Sequence, residues 1–194
     1  MAKHRIAVII GSTRDARFAD KPTDWLMSKI ADHPELEFEK VDLRDQNLPF
    51  FDEAASNLWV ESEDPNAVAW QKKLAGFDGF LFVVAEYNHS ITGALKNALD
   101  QAYKEWNRKP MTALAYGSMG GARALEHLRM ISIELQMVPL RNAVHIGGSD
   151  FFKTSPLGDD APISEIEGHL EGPLKSTLEE LAWWTGVLKT ARAD

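Results

Sequence analysis

Residues 5–10 of the chain read RIAVII and run directly into Gly11-Ser12-Thr13-Arg14. An unbroken run of β-branched and apolar residues that ends at a glycine is typical of a strand buried on both faces of a parallel sheet. Similar runs occur at 80–85 (FLFVVA) and 111–116 (MTALAY), with a weaker one at 141–146 (RNAVHI) and a more polar one at 37–43 (EFEKVDL). The sequence therefore predicts five parallel strands.

Segments with the apolar spacing of a helix separate these strands, at 21–31, 66–75, 93–103 and 122–137, and a last one spans 172–189. Strands that alternate with helices imply right-handed βαβ crossovers and a sheet covered on both faces. We expect a doubly wound α/β fold, in which ligands bind outside the carboxyl ends of the strands. Chemistry is therefore expected in the loops at Gly11, Glu86 and Gly117.

Two stretches, 44–65 and 147–172, lack a helix or strand pattern, and the second is rich in Gly, Pro, Ser and Asp. Structureless loops of this length are usually functional or disordered. Neither stretch fits a minimal domain of this kind.

The composition indicates a soluble protein with one domain over residues 1–194. The chain is 44% hydrophobic and 26% charged, and no apolar run approaches the roughly 20 residues of a membrane span. Its formal charge of −8 argues against nucleic acid as the main partner, because phosphate binding needs a basic face. The apolar stretch near the N-terminus is too short for a signal peptide and cysteine is absent, so we expect a cytoplasmic protein.

The first loop, residues 11–18 (GSTRDARF), lies between a predicted strand and a predicted helix. Unpaired N–H groups of a helix N-terminus, hydroxyls and arginine side chains together make a phosphate site, although a plain turn with solvated arginines has the same composition. A dinucleotide fingerprint would need glycine at Thr13 and Ala16, and the Gly-Lys-Ser/Thr of a P-loop is missing. A single phosphate monoester suits this loop better than a diphosphate or triphosphate.

The second loop, residues 85–93 (AEYNHSITG), again follows a buried strand. Its polar and aromatic residues are typical of a surface that receives a ring system. For His89 and Ser90, a hydrogen-bonded turn with a helix N-cap is favoured over a catalytic role. His127 lies in a helical segment and is expected at the surface or at an interface.

The third loop is Gly117-Ser118-Met119-Gly120-Gly121. Three glycines in five residues allow the backbone to approach a flat ligand and to offer N–H donors. A serine on a strand-to-helix turn also occurs in the nucleophile elbow of hydrolases, but G-x-S-x-G would need glycine where Tyr116 stands. A hydrolase is therefore the weaker interpretation of this loop.

These three loops, with residues 48–52 (LPFFD) and 86–100 (EYNHSITGALKNALD), resemble the NADPH-dependent FMN reductase family. That family is a flavodoxin-like group which includes many quinone, azo-dye and chromate reductases. The resemblance implies a flavodoxin-like doubly wound five-stranded parallel sheet with helices on both faces. It also implies an NAD(P)H oxidoreductase, using NADPH or NADH, that passes electrons through bound FMN to a small-molecule acceptor such as free flavin, a quinone, an azo compound or a metal oxyanion.

The resemblance places cofactor-binding residues on all three loops. In the first loop it implies that Ser12, Arg14 and Arg17, with Phe18 beside them, hold the FMN phosphate. The flavin ring and ribityl chain would lie against Glu86, Tyr87, Asn88 and His89, and the ring would be bordered by Gly117, Ser118, Met119, Gly120 and Gly121. Many members have serine where Arg17 stands and proline where Ala85 stands. No catalytic residue and no metal site is implied, because the cofactor carries the redox chemistry.

Two other functions share some of these features. A flavodoxin-type electron carrier would bind FMN without turning over nicotinamide, and a serine hydrolase would use Ser118 without a flavin. The resemblance also implies a homodimer or homotetramer, and large apolar groups at 48–51, at 58–60 and at Trp70 are expected to form its interface.

Overall fold

A computed structural model of the chain describes residues 3–193, which contain one parallel sheet. Its strands are β1 (His4–Ile10), β2 (Leu36–Asp42), β3 (Gly79–Ala85), β4 (Pro110–Tyr116), β5 (Val138–Pro139) and β6 (Val144–Ile146). The order is β2-β1-β3-β4-β5, with β6 also beside β4. β5 pairs with the start of β4 and β6 with its end, so the two share the fifth strand position. The predicted flavodoxin-like doubly wound sheet is confirmed.

The fifth strand, predicted at 141–146, is interrupted in its first half. The carboxylate of Glu180 accepts the backbone N–H groups of Arg141 and Asn142, at 3.4 and 2.9 Å, and Thr112 donates its hydroxyl to the carbonyl of Asn142 at 2.7 Å. Because these side chains use the backbone groups that a strand would pair, the ladder resumes only at Val144.

Within residues 3–193, six helices cover the sheet: α1 (Asp20–Ile30), α2 (Pro65–Ala75), α3 (Gly93–Asp100), α4 (Ala122–Glu134), α5 (Gly148–Thr154) and α6 (Glu167–Ala193). Residues of α1 and α6 pack on one face of the sheet and residues of α2, α3 and α4 on the other. Alternate residues of β1 face these two cores, Ile6 and Val8 on the first and Ala7 and Ile9 on the second. This burial on both faces explains the unbroken apolar run. None of these helices is long and apolar enough to cross a membrane.

Helix ends differ from the predicted ranges by three residues or more at four places, one of which is the end of α6 at Ala193 and not at 189. α3 ends at Asp100 and not at 103, and α4 ends at Glu134 and not at 137, where Gln136 adopts a left-handed conformation with φ of 56°. α6 begins at Glu167, five residues before the predicted start at Gly172. The actual first turn is anchored by Leu170, which is buried, and by a 3.0 Å hydrogen bond from Trp25 to Glu167.

The stretch 147–172 is not the structureless loop that the sequence suggested. It contains α5 and a short 3₁₀ turn, Ile163–Glu165, before α6 begins. Phe151 and Ile163 are buried in the core that α1 and α6 form. This stretch therefore forms part of the wall beside the carboxyl end of the sheet.

Candidate functional site

The three predicted loops meet at the carboxyl ends of the adjacent strands β1, β3 and β4, where a cleft of about 340 Å³ opens. The predicted residues on its walls are Ser12, Arg14, Arg17, Phe18, Glu86, Tyr87, Gly117 and Ser118. The other predicted residues, Asn88, His89, Met119, Gly120 and Gly121, belong to the same loops but do not line the cleft. β1 and β3 flank the switch in strand order, which is where doubly wound folds bind ligands.

The first loop presents a row of free backbone donors. Gly11 continues the sheet by donating to the carbonyl of Val83 at 3.0 Å, but none of the amides from 12 to 18 donates to a group within residues 3–193. Arg44 donates to the carbonyls of Arg14 and Asp15 from outside the loop. The C=O and N–H of a trans peptide point in opposite directions. The amides of Asp15 and Ala16, which share peptide bonds with these carbonyls, therefore point away from Arg44. Such a row of amides before a helix is suited to an anion.

Arg17 has a structural role that the sequence did not indicate. Its guanidinium donates all five N–H groups: two to Asp42, two to Asp20 and one to the carbonyl of Ser12. The side chain is 3% exposed. Burial alone would raise the pKa of Asp42, but the hydrogen bonds from Arg17 hold it below its ordinary value. Because no side-chain donor is left for a phosphate, the guanidinium of Arg17 fixes the shape of the loop, and we do not retain it as a phosphate ligand.

The second loop is a tight turn, as one interpretation of the sequence held. Tyr87 and Ser90 exchange both backbone hydrogen bonds, at 2.8 and 2.9 Å, and Asn88 and His89 between them have φ values of 48° and 68°. Two positive φ values in a two-residue turn are the type I′ geometry. The N-cap of α3 is Thr92 and not Ser90, and its hydroxyl also donates to the carbonyl of Gly11, which joins the first and second loops.

Glu86 joins the second loop to the third. Its carboxylate accepts hydrogen bonds from the Arg123 side chain, at 2.6 Å from Nε, and from the Arg123 backbone amide at 3.2 Å. The Arg123 guanidinium also lies 2.8 Å from Nε2 of His89. Burial opposes ionisation of Glu86, but these bonds lower its pKa. Glu86 thus borders the cleft while its carboxylate is committed to the start of α4.

The third loop needs glycine at its end. Gly121 has φ of 65°, and a Cβ there would lie 2.7 Å from the backbone nitrogen of Tyr116. Ser118 is exposed, but no histidine hydrogen-bonds its hydroxyl within the described part of the chain: Nδ1 of His145 lies 2.7 Å from the carbonyl of Gly120, and His89 contacts Arg123. A serine hydrolase would need a base at this hydroxyl. The geometry therefore gives that alternative no support.

One wall of the cleft comes from residues that the sequence analysis did not single out: Tyr116, Phe151, Phe152, Ser155, Pro156 and Leu157. Tyr116 packs edge-on against Phe18, with ring centroids 5.1 Å apart, and burial raises the pKa of its hydroxyl. The remaining residues of this wall lie in the stretch 147–172, whose unusual length was the sequence feature that could have pointed to them. No group of acidic or histidine side chains able to hold a metal ion occurs among residues 3–193.

Residues 4–150 match the family model of the NADPH-dependent FMN reductases. The chain belongs to this family. It is accordingly an FMN-dependent NAD(P)H oxidoreductase, and the flavodoxin-type carrier is set aside. An NAD(P)H-dependent FMN reductase of Schizosaccharomyces pombe is 32% identical over 183 residues, which are 92% of this chain and 88% of that protein. A 2-hydroxy-1,4-benzoquinone reductase of Burkholderia sp is 33% identical over 141 residues, covering 69% of this chain and 73% of the relative.

Solved structures show the same fold. The flavoenzyme FerB of Paracoccus denitrificans, an NAD(P)H:(acceptor) oxidoreductase, superposes with a TM-score of 0.70 at 21% identity. The superposition covers 94% of this chain and 97% of FerB. The cleft wall beyond residue 150 lies outside the range that matches the family model.

Proposed function

We propose that the cleft beside the first loop binds FMN and that the protein uses NADPH or NADH to reduce a small quinone. The observation that carries the binding site is the row of free amides from residues 12 to 18, because a phosphate monoester is the part of FMN that such a row would hold. The volume of the cleft, about 340 Å³, is within the usual range for small-molecule sites.

The phosphate end is proposed to be held by Ser12, Arg14 and the loop amides. Ser12 is 2% exposed and lines the cleft, whereas Arg14 is exposed at its mouth, with Nη1 3.4 Å from the hydroxyl of Tyr87. Arg14 can therefore turn onto a phosphate without breaking a buried contact, which Arg17 cannot do. A guanidinium forms charge-assisted, often bidentate hydrogen bonds with phosphate oxygens.

The rest of the cleft suits a flat ring system. Gly117 and Ser118 offer an unobstructed backbone on one side, and Phe18 and Tyr116 form an aromatic wall. When bound, FMN supplies the redox chemistry, taking up a hydride from NAD(P)H and giving electrons to the acceptor. The chain positions the nucleotide. The hydrogen bond from Arg123 to Glu86 holds the second loop against the start of α4, which directly follows the third loop.

A quinone is proposed as the acceptor because relatives that match most of the fold are named quinone reductases. Steady-state oxidation of NADPH would be followed with a benzoquinone, with free FMN and with an azo dye. We expect the highest kcat/KM with the quinone. Absence of turnover with every acceptor, in protein that retains FMN, would contradict the proposed enzyme.

We also propose a homodimer or homotetramer in the cytoplasm, with residues 1–194 as one domain. Phe50 is 86% exposed and Trp59 79%, while Val60 is half exposed, so the long connection after β2 carries three exposed apolar side chains. Phe50 also borders a second cleft of about 510 Å³ beside Thr13 of the first loop. Trp70, expected in the same interface, is instead buried and donates its indole N–H to the carbonyl of Ala98 at 2.8 Å.

A further inference from the structure

Ser155 has a buried hydroxyl without a hydrogen-bond partner. The residue is 1% exposed and lines the cleft, and within residues 3–193 no group accepts from or donates to its Oγ. Its backbone is fully used, since the amide donates to Phe151 and the carbonyl accepts from Gly158 and Asp160. A buried polar group that is left unpaired costs free energy, and in native proteins it calls for a partner such as a ligand or an ordered water.

The segment that carries Ser155, residues 151–161, is fixed beside the first loop. Lys21, in the first turn of α1, donates to the carbonyls of Thr154, Asp160 and Ala161 at 3.1, 2.7 and 3.3 Å. The fold of the segment is also tight, because a Cβ on Gly158 would lie 1.9 Å from the carbonyl oxygen of Phe152. The residue therefore has a fixed place beside the N-terminus of α1, which directly follows the free amides of the first loop.

Apart from Tyr116, the other described side chains of this wall around Ser155 are apolar. Phe151, Pro156 and Leu157 beside it are apolar, and Phe151 packs edge-on against Phe18 at 5.5 Å between ring centroids. A ligand in the cleft that places an oxygen near α1 would be the natural partner of the hydroxyl. The phosphorylated chain of FMN is the oxygen-rich part of the nucleotide, and it belongs at this end of the cleft if the phosphate lies on the first loop.

We propose that Ser155 is a further cofactor-binding residue, whose hydroxyl hydrogen-bonds an oxygen of the ribityl phosphate chain of FMN. This inference rests on the proposed binding of FMN in this cleft. Ser155 lies beyond residues 4–150, so the family match did not point to it. The proposal is carried by its unpaired hydroxyl and by the place of the residue on the cleft wall.

The test compares Ser155→Ala with Ser132→Ala. Ser132 is a fully buried serine of α4 whose hydroxyl donates to the carbonyl of Leu128 at 2.7 Å, away from the cleft. The dissociation constant of FMN would be measured by quenching of flavin fluorescence on flavin-free protein, and the thermal stability of that protein by its unfolding temperature. We expect Ser155→Ala to weaken FMN binding by about three- to tenfold, the usual effect of one hydrogen bond.

The stability of the flavin-free protein gives a second readout. Ser155→Ala should unfold at the same temperature as the wild type or higher, because it removes an unpaired polar group, whereas Ser132→Ala should bind FMN like the wild type. Equal FMN affinity of Ser155→Ala and wild type would overturn the role of Ser155 and leave the proposed function standing. A wild-type protein that does not bind FMN would overturn the proposed function itself.

Discussion

Arg17 and Asp42 form a doubly hydrogen-bonded ion pair, in which Nη1 donates to Oδ1 at 2.7 Å and Nη2 donates to Oδ2. The pair joins the first loop to the end of β2, and the Arg17 side chain is almost completely buried. It explains how a loop whose amides from 12 to 18 donate no hydrogen bond within the described residues can hold a defined shape. The free amides depend on this ion pair for their arrangement.

We predict that Arg17→Ala acts mainly on stability. Removing one member of a buried ion pair leaves the other charged and unpaired, which typically costs about 3 to 5 kcal/mol. Asp42 is partly exposed, at 18% of its side chain, so a value near the lower end is expected. Urea unfolding of the flavin-free protein measures this loss. Wild-type stability combined with a large loss of FMN affinity would instead make Arg17 a direct phosphate ligand.

Arg14→Ala should show the opposite behaviour. The side chain is exposed and makes one long contact, to Tyr87 at 3.4 Å, so its loss should change the free energy of unfolding by less than about 0.5 kcal/mol. A charge-assisted hydrogen bond contributes about 1.5 to 3 kcal/mol, and its loss should weaken FMN binding by roughly ten- to a hundredfold. Titration with riboflavin, which lacks the phosphate, should give equal affinities for wild type and variant. Unchanged FMN affinity would place the phosphate elsewhere.

Much of this site could be predicted from the sequence because its loops are local. Residues 5–10 and 80–85 are apolar on both faces, which fixes a central parallel strand, and the loop after each strand then has a known place at the sheet edge. The pairing of Arg17 with Asp42 could not be predicted, because Asp42 is 25 residues away and meets it only when β2 pairs with β1. Ser155 was missed for the same reason, since the contact of its segment with Lys21 spans more than a hundred residues.

Lys109 should make stability depend on pH between pH 8 and 10. The residue is buried where β4 begins, and its ammonium donates to the carbonyl of Leu74 at 3.0 Å. Burial, with a contribution from Arg192, lowers the pKa of Lys109 from 10.5 to about 8 in the folded protein. The unfolded chain therefore binds more protons in this window, and stability rises with pH, by about 2 kcal/mol between pH 8 and 10, since the slope cannot exceed about 1.36 kcal/mol per pH unit.

Urea unfolding at pH 7, 8, 9 and 10 would measure this dependence in the wild type and in Lys109→Met. The variant should lose most of the rise, while Lys175→Met, which removes an exposed lysine of α6, should keep it. The series stops at pH 10 because a second group titrates above it. Burial raises the pKa of Tyr116 in the folded protein, so at higher pH this tyrosine ionises first in the unfolded chain and the folded state loses stability. Equal slopes for wild type and Lys109→Met would show that Lys109 is not the group responsible.

The last prediction concerns the assembly. Phe50 and Trp59, both on the connection after β2, are among the most exposed large apolar residues described. Exposed apolar patches usually mark an interaction surface, and pairing about a two-fold axis is the commonest way to bury one. Trp59→Glu should place a charge in that interface and shift the mass in light scattering toward the 21.7 kDa of one chain. The fold should be retained, because an exposed substitution changes stability by about 0.5 kcal/mol or less.

Trp183→Glu, at a 61% exposed tryptophan of α6, is the matched control and should leave at least the dimer intact. If the second cleft beside Phe50 is completed by the partner, Trp59→Glu should also lower NADPH oxidation. A wild-type protein that is a 21.7 kDa monomer at micromolar concentration with full NADPH oxidation would refute both the assembly and its role at the cleft.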